Sequence, residues 1–239
     1  MKDVDLTGRS STLDGSQPLH GVLATPAGDG PWPGAVVLHE AFGLDDVMRR
    51  LTSRMADAGY LALAVDLFSA GGTRRCLVST MRALFTGRGR AFADIEAARG
   101  WLIDSPSCTG KVGVIGFCLG GGFALLTAGA GFDAASVNYG KLPADVDKAM
   151  AGACPVVASY GGRDVLRGSA RKLEAALERA DVPHDVKEYP SAGHSFLNDA
   201  EVGPRLLRPL ERVAGIGPEP VAAADAWRRI DAFFAEHLK

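Results

Sequence analysis

A thiol set between glycines, Gly116-Phe117-Cys118-Leu119-Gly120, is the part of this sequence best suited to chemistry. The pattern is G-x-S-x-G with cysteine in place of serine. It lies between an apolar run of strand character, Lys111 to Ile115, and a Gly-, Ala- and Leu-rich stretch of helical character, Cys118 to Ala130. A sharp strand-to-helix turn of this kind presents its central residue at the edge of a sheet. Small residues two before and two after it let neighbouring backbone come close. The positive end of the helix dipole falls at the same place and favours thiolate over thiol. Such a group is equipped to attack an acyl carbon. A nucleotide-binding turn is the competing reading, but Cys118 stands where G-x-G-x-x-G needs its second glycine. The plainer alternative is a glycine-rich turn around an inert, buried cysteine.

A thiol nucleophile needs a base and a group to orient that base. Asp164 follows the apolar run Pro155 to Tyr160 in the turn Gly161-Gly162-Arg163-Asp164. His194 follows His184 to Tyr189 in the loop Pro190-Ser191-Ala192-Gly193-His194. Nucleophile, acid and histidine thus occur in that chain order, each at the end of a strand-like run, as a triad on a parallel sheet requires. Taken singly, Asp164 reads as a turn-former or helix cap and His194 as an ordinary loop histidine. His20 and His184 fall within strand-like runs, His237 near the chain's end, and His39 precedes the nucleophile. The loop His39-Glu40-Ala41-Phe42-Gly43 follows Ala35 to Leu38, where a second oxyanion-binding amide is expected from Ala41 beside the first from Leu119. Glu40 in that loop is an unusual neighbour for a nucleophile; its bland reading is a solvated acid. His39-Glu40 lacks the second histidine of a zinc motif.

The elements that must position these residues alternate regularly. Ala35 to Leu38 predicts a strand, about Asp45 to Ala58 a helix closed by Gly59, and Tyr60 to Val65 the next strand. Ala91 to Ile103 predicts a helix, followed by the Lys111 to Ile115 strand and the Cys118 to Ala130 helix. Ala135 to Asn138 and Pro155 to Tyr160 are further strands, Gly168 to Ala180 a helix, His184 to Tyr189 a strand and Val221 to His237 a closing amphipathic helix. This predicts an α/β-hydrolase fold: one domain over residues 1–239, a mostly parallel sheet with helices on both faces. Asp3 to Thr25 is expected to add antiparallel edge strands. Glu201 to Pro220, with Pro204, Pro209, Pro218 and Pro220, reads as an irregular surface excursion.

Composition narrows the function classes. Of 239 residues 47% are hydrophobic and the formal charge is −2 with mixed signs, so a large core is available and neither nucleic acid nor a membrane surface is an expected partner. The opening residues carry no leader-like apolar core, and no apolar run is long enough to span a bilayer, so a cytoplasmic location is expected. Cys76, Cys108, Cys118 and Cys154 form no C-x-x-C pair, which argues against a disulfide framework or structural zinc.

Gly116 to Gly121, His39 to Gly43, Gly162-Arg163-Asp164 and Gly193-His194-Ser195-Phe196 together resemble the dienelactone hydrolase family, over about Gly34 to Phe196. The resemblance implies a Cys118–His194–Asp164 triad, with Glu40 holding the resting thiol and helping to form thiolate when substrate binds. It also implies that Tyr139 and Phe42 border the substrate. Well-known members hold a substrate carboxylate with two arginines. One would lie four residues after the histidine, where this chain has Asn198, and the other after the strand ending at Asp66, where Arg74, Arg75 and Arg82 are the candidates. The implied activity is hydrolysis of a small ester or lactone, the implied partner that small molecule, and no cofactor or metal is expected. Two rival readings are a non-catalytic small-molecule binder of the same fold and a thiol redox protein using Cys154. The sequence sets no oligomeric state.

Overall fold

Strands β3 (Trp32–Leu38) and β4 (Leu61–Val65) are apolar at nearly every position, so water can be left on neither face. In the computed structural model, which describes residues 1–203, 208 and 215–239, both lie at the centre of an eight-stranded sheet. Its other strands are β1 (Lys2–Asp5), β2 (His20–Ala24), β5 (Cys108–Phe117), β6 (Ala134–Asn138), β7 (Val156–Gly161) and β8 (His184–Tyr189), in the spatial order β1-β2-β4-β3-β5-β6-β7-β8. Pairings β1–β2 and β2–β4 are antiparallel and all others parallel. The expected edge strands within Asp3 to Thr25 are therefore present, with the short helix α1 (Thr7–Ser11) between them.

Alternation along the strands divides the core in two. Val36 and Leu38 point to one face, against residues of α3 (Gly72–Thr86), α4 (Arg90–Ile103), α5 (Leu119–Thr127) and α7 (Ser169–Arg179). Ala35 and Val37 point to the other, against α2 (Asp46–Asp57) and α8 (Pro220–Leu238). Complete burial of each Val or Leu stabilises the fold by roughly 1.5–3 kcal/mol, so the sheet cannot slip register by one residue without inverting both faces. Helix α6 (Val146–Met150) lies between β6 and β7.

Local chemistry sets the ends. The Asp45 side chain accepts from the Met48 amide at 2.9 Å and caps α2, so this residue stands outside the helix instead of opening it. Glu219 does the same for α8, accepting from the Ala222 amide at 2.6 Å, with Pro220 in the first turn. Strand β5 begins at Cys108, earlier than Lys111, and α5 ends at Thr127, short of Ala130. Helices α1, α3 and α6 are additions to the elements predicted from sequence. Of the Glu201–Pro220 segment, residues 204–207 and 209–214 lie outside the described residues. Where the chain resumes, Gly217 donates to the His194 carbonyl at 2.8 Å and Glu219 to the Phe196 carbonyl at 3.2 Å. No helix among the described residues is long and apolar enough to cross a membrane.

The register brings the carboxyl ends of the strands level. Leu38 pairs with Gly116, Phe117 with Asn138, and Gly161 with Tyr189. The loops after β3, β5, β7 and β8, which carry Glu40, Cys118, Asp164 and His194, therefore open along one edge of the sheet.

Candidate active site

Cys118 occupies the turn between β5 and α5 with φ 53° and ψ −110°, a conformation that costs a non-glycine residue about 1–3 kcal/mol. The surroundings over-determine it. The Cys118 amide donates to the Asn138 carbonyl at 3.0 Å, the Gly122 amide to the Cys118 carbonyl at 3.1 Å, and the Gly120 amide to the His39 carbonyl at 3.1 Å. Glycine is needed on both sides by close approach: a Cβ at Gly116 would meet the Gly120 carbonyl oxygen at 2.0 Å, and one at Gly120 would meet the Leu38 oxygen at 2.2 Å. Cys118 is the N-terminal boundary residue of α5 and is partly exposed, while Leu119 behind it is buried.

His194 and Asp164 meet across the ends of β7 and β8. The His194 Nδ1 lies 2.6 Å from Asp164 Oδ2, with the carboxylate fully buried and the ring 19% exposed. Asp164 also accepts from the Leu166 amide at 3.0 Å through Oδ1, so it forms its own turn and still has an oxygen for the histidine. The cap position of α7 belongs to Gly168, which removes the helix-cap reading of Asp164. Burial opposes charge on His194, but hydrogen bonds to Asp164 and Cys118, with the charges of both, carry its pKa up to about 10. With Nδ1 committed to Asp164, Nε2 is the ring nitrogen that faces the sulfur.

Glu40 is buried, 3% exposed, so its reading as a solvated loop acid is corrected. Ser195 Oγ donates to Oε1 at 2.9 Å and Asn198 Nδ2 to Oε2 at 3.2 Å, and Tyr139 donates its hydroxyl to Asn198 Oδ1 at 3.4 Å. Burial raises the Glu40 pKa; the His194 charge and the Ser195 and Asn198 hydrogen bonds pull it back. Its oxygens are thus held by the His194 loop, which differs from the grip on the thiol that the resemblance implied. His39 has a different task. It donates from Nδ1 to the Glu40 carbonyl at 2.7 Å and accepts at Nε2 from the Leu67 amide at 3.0 Å, which fixes a neutral ring whose pKa burial lowers. It ties the β3 loop to the chain after β4.

The remaining expected residues separate. Ala41 is partly exposed and Phe42 is 40% exposed beside the β3 end. Tyr139 has no exposed surface. Its ring lies 5.1 Å from that of His194 and 5.7 Å from Phe196, so it supports the histidine from beneath instead of meeting a substrate. Arg74 and Arg75 are exposed on α3, and Arg82 on the same helix lines a separate cavity. Among the described residues no cluster of histidine, cysteine and carboxylate side chains could hold a metal. Sequence reasoning missed Ser195 and Asn198 as the holders of Glu40, although Ser195 stood inside a quoted motif. It also missed Asn138, whose carbonyl anchors the elbow and whose Oδ1 is buried without a partner among the described residues.

The redox reading fails on distance. Cys154 donates its amide to the carbonyl of Ala128, at the far end of α5 from Cys118. Ten helical residues separate the two ends by about 15 Å, burial pushes the Cys154 thiol up to about 12, and all four cysteines are free.

Residues 19–238 match the family model described as "Dienelactone hydrolase family". A carboxymethylenebutenolidase from Rhodococcus opacus is 30% identical over 237 residues, covering 92% of this chain and 86% of that protein. A solved dienelactone hydrolase-like promiscuous phosphotriesterase from metagenomic libraries superposes with a TM-score of 0.77 at 28% identity, covering 92% and 93% of the two chains. The dienelactone hydrolase from Anabaena variabilis shares the fold, with a TM-score of 0.66 at 20% identity over 93% of each chain.

Proposed function

Because the chain belongs to the dienelactone hydrolase family and is an ester or lactone hydrolase, we propose that it cleaves a small carboxylic ester or lactone by acyl transfer to Cys118. The sulfur, as thiolate, adds to the acyl carbon, and the carbonyl electrons pass to oxygen. The amides of Leu119 and Ala41 receive that oxyanion, the first with the dipole of α5 behind it. His194, held by Asp164, gives its proton to the departing alkoxide as the tetrahedral species collapses to a thioester. The neutral ring then takes a proton from water, hydroxide adds to the thioester, and Cys118 leaves as thiolate. Phe42 contributes an apolar wall at the mouth. Glu40 keeps a second carboxylate close to His194, favouring its imidazolium form.

One observation carries this reading: a cysteine strained into the left-handed region at a helix N-terminus, facing a histidine whose other nitrogen is 2.6 Å from a buried carboxylate. A small-molecule binder would gain nothing from that strain. Turnover of aryl acetates and small lactones by Cys118→Ala, with mass spectrometry of wild type caught by rapid acid quench, tests it. We expect an acyl adduct on Cys118 and a rate loss of at least about a thousandfold in the variant, because triad members act as a unit. Wild-type turnover by the variant, with no adduct in the native enzyme, would exclude the mechanism.

A further inference from the structure

A cavity of about 440 Å³ opens between α3 and α4, lined by none of Cys118, His194, Asp164 or Glu40. Three guanidinium-bearing residues, Arg82, Arg88 and Arg90, line it, and among the described residues none of the three makes an ion pair. The first turn of α4 reaches the same wall through Gly89, Arg90 and Ala91. Its boundary residue, Gly89, has no side chain to cap the first turn; the Phe92 amide returns to the Gly89 carbonyl at 3.1 Å, which leaves the amides of Arg90 and Ala91 at the cavity end of a fourteen-residue helix.

A second, independent feature is Thr80. It is 5% exposed and lines the cavity, yet its hydroxyl has no hydrogen-bond partner among the described residues. Thr52, Thr86 and Thr127 return their hydroxyls to the carbonyl four residues back, at 2.7, 2.9 and 2.8 Å. The carbonyl four residues before Thr80, that of Cys76, already accepts from Ser79 Oγ at 2.8 Å, and the Thr80 hydroxyl is left on the cavity wall of an otherwise buried residue. The one carboxylate on the wall, Asp94, has both oxygens engaged: it accepts from the Ser16 amide at 2.6 Å and from Ser16 Oγ at 2.7 Å. Burial raises its pKa, against the pull of the Ser16 hydrogen bonds and the Arg90 charge.

We propose that this cavity is a second binding site, for a small phosphate monoester, with Arg82 and Arg88 pairing the dianion and Thr80 and the α4 amides completing its oxygens. Guanidiniums match phosphate oxygens in pairs, and uncapped helix amides add donors without adding charge. The volume suits a phosphorylated fragment of a few carbons. The site stands apart from the hydrolytic centre, so its test does not depend on turnover.

Titration calorimetry at constant ionic strength, using inorganic phosphate, phenyl phosphate and malonate on the intact protein, decides the matter. Phenyl phosphate is expected to bind one to one and more tightly than malonate. Arg88→Gln, an exposed position that leaves folding untouched, should weaken it about tenfold, and Thr80→Val, of nearly equal volume, several-fold. Arg74→Gln should leave it unchanged, and ester turnover should be the same in Arg88→Gln as in wild type. The proposal is overturned by an absence of saturable phosphate binding, by binding indifferent to both Arg88→Gln and Thr80→Val, or by malonate binding more tightly than phenyl phosphate.

Discussion

Replacing Glu40 by glutamine separates a group kept for chemistry from one kept for stability. Ionising a carboxylate that is 3% exposed costs several kcal/mol. The two hydrogen bonds it accepts, from Ser195 and Asn198, each return about 1.5–3 kcal/mol as bonds to a charged group. The two sides nearly cancel, so at neutral pH Glu40→Gln should lie within about 1 kcal/mol of wild type. The pH dependence has a definite sign. Burial raises the folded-state pKa of Glu40 above 4.5. Its stability contribution is therefore fully present below the unfolded value and is lost as pH rises through the folded one. Glutamine does not titrate, so the variant should gain on wild type as pH rises from about 4.5 through the raised folded value. Urea unfolding at a series of pH values upward from 4.5 measures the gain. Activity should move the other way. Losing a charge beside His194 in a dry site is worth about 1–3 kcal/mol, or tenfold to a hundredfold in kcat/KM, with the pH profile of Cys118 alkylation displaced. A variant that loses stability relative to wild type as pH rises, yet hydrolyses esters normally, would make Glu40 a structural residue and refute the reasoning.

Asp164→Asn should cut acylation by roughly a hundred- to ten-thousandfold in single-turnover measurements, because it removes the partner that orients His194. It should also alter stability against pH. With a folded pKa of about 10, His194 contributes fully below 6.5 and loses that contribution as pH rises through 10, so between those values wild type should lose ground to the variant in urea melts. Gly120→Ala puts a Cβ 2.2 Å from the Leu38 oxygen, which cannot move without breaking β3 pairing; we expect at least a tenfold fall in kcat/KM and a lower Tm, read by turnover and thermal melting. Arg74→Gln, on the exposed side of α3, should change the ratio of kcat/KM for a carboxylated lactone and its methyl ester by less than about threefold.

Much of this was legible because periodicity and order are local properties. The alternation of Val36 and Leu38 with Ala35 and Val37 announces a sheet covered on both faces, and the glycines around Cys118 announce a turn whose tightness the backbone contacts explain. What escaped depends on contacts distant in sequence. Glu40 reads as a surface acid until Ser195 and Asn198, more than 150 residues away, are placed on its oxygens. Helix α3 begins at Gly72, after Gly71, and carries arginines among its apolar residues. Local pattern gave it no clean face, and packing against α4 and α5 supplies one. The family resemblance alone implied that Tyr139 borders the substrate, and no local pattern shows which way its ring turns. Its positive φ of 41° turns the ring inward under His194 instead.

The His194 loop joins these observations. Within five residues it carries His194, which faces the sulfur, and both Ser195 and Asn198, which hold the buried glutamate. The same loop is tied from outside: Gly217 and Glu219 donate to the carbonyls of His194 and Phe196, and Trp227 on α8 donates its indole N–H to Leu197 at 3.3 Å. Position of the base and position of the second carboxylate are therefore one structural variable, set by how the C-terminal helix lies on the sheet. Such coupling suits a thiol enzyme. In the proposed mechanism a thiolate is useful only while its counter-ion stays protonated and in place, and the Asp164 and Glu40 carboxylates both favour that charge on His194. A serine nucleophile, neutral at rest, would have less use for the second carboxylate, which accounts for an acid buried at a cost in the loop after β3.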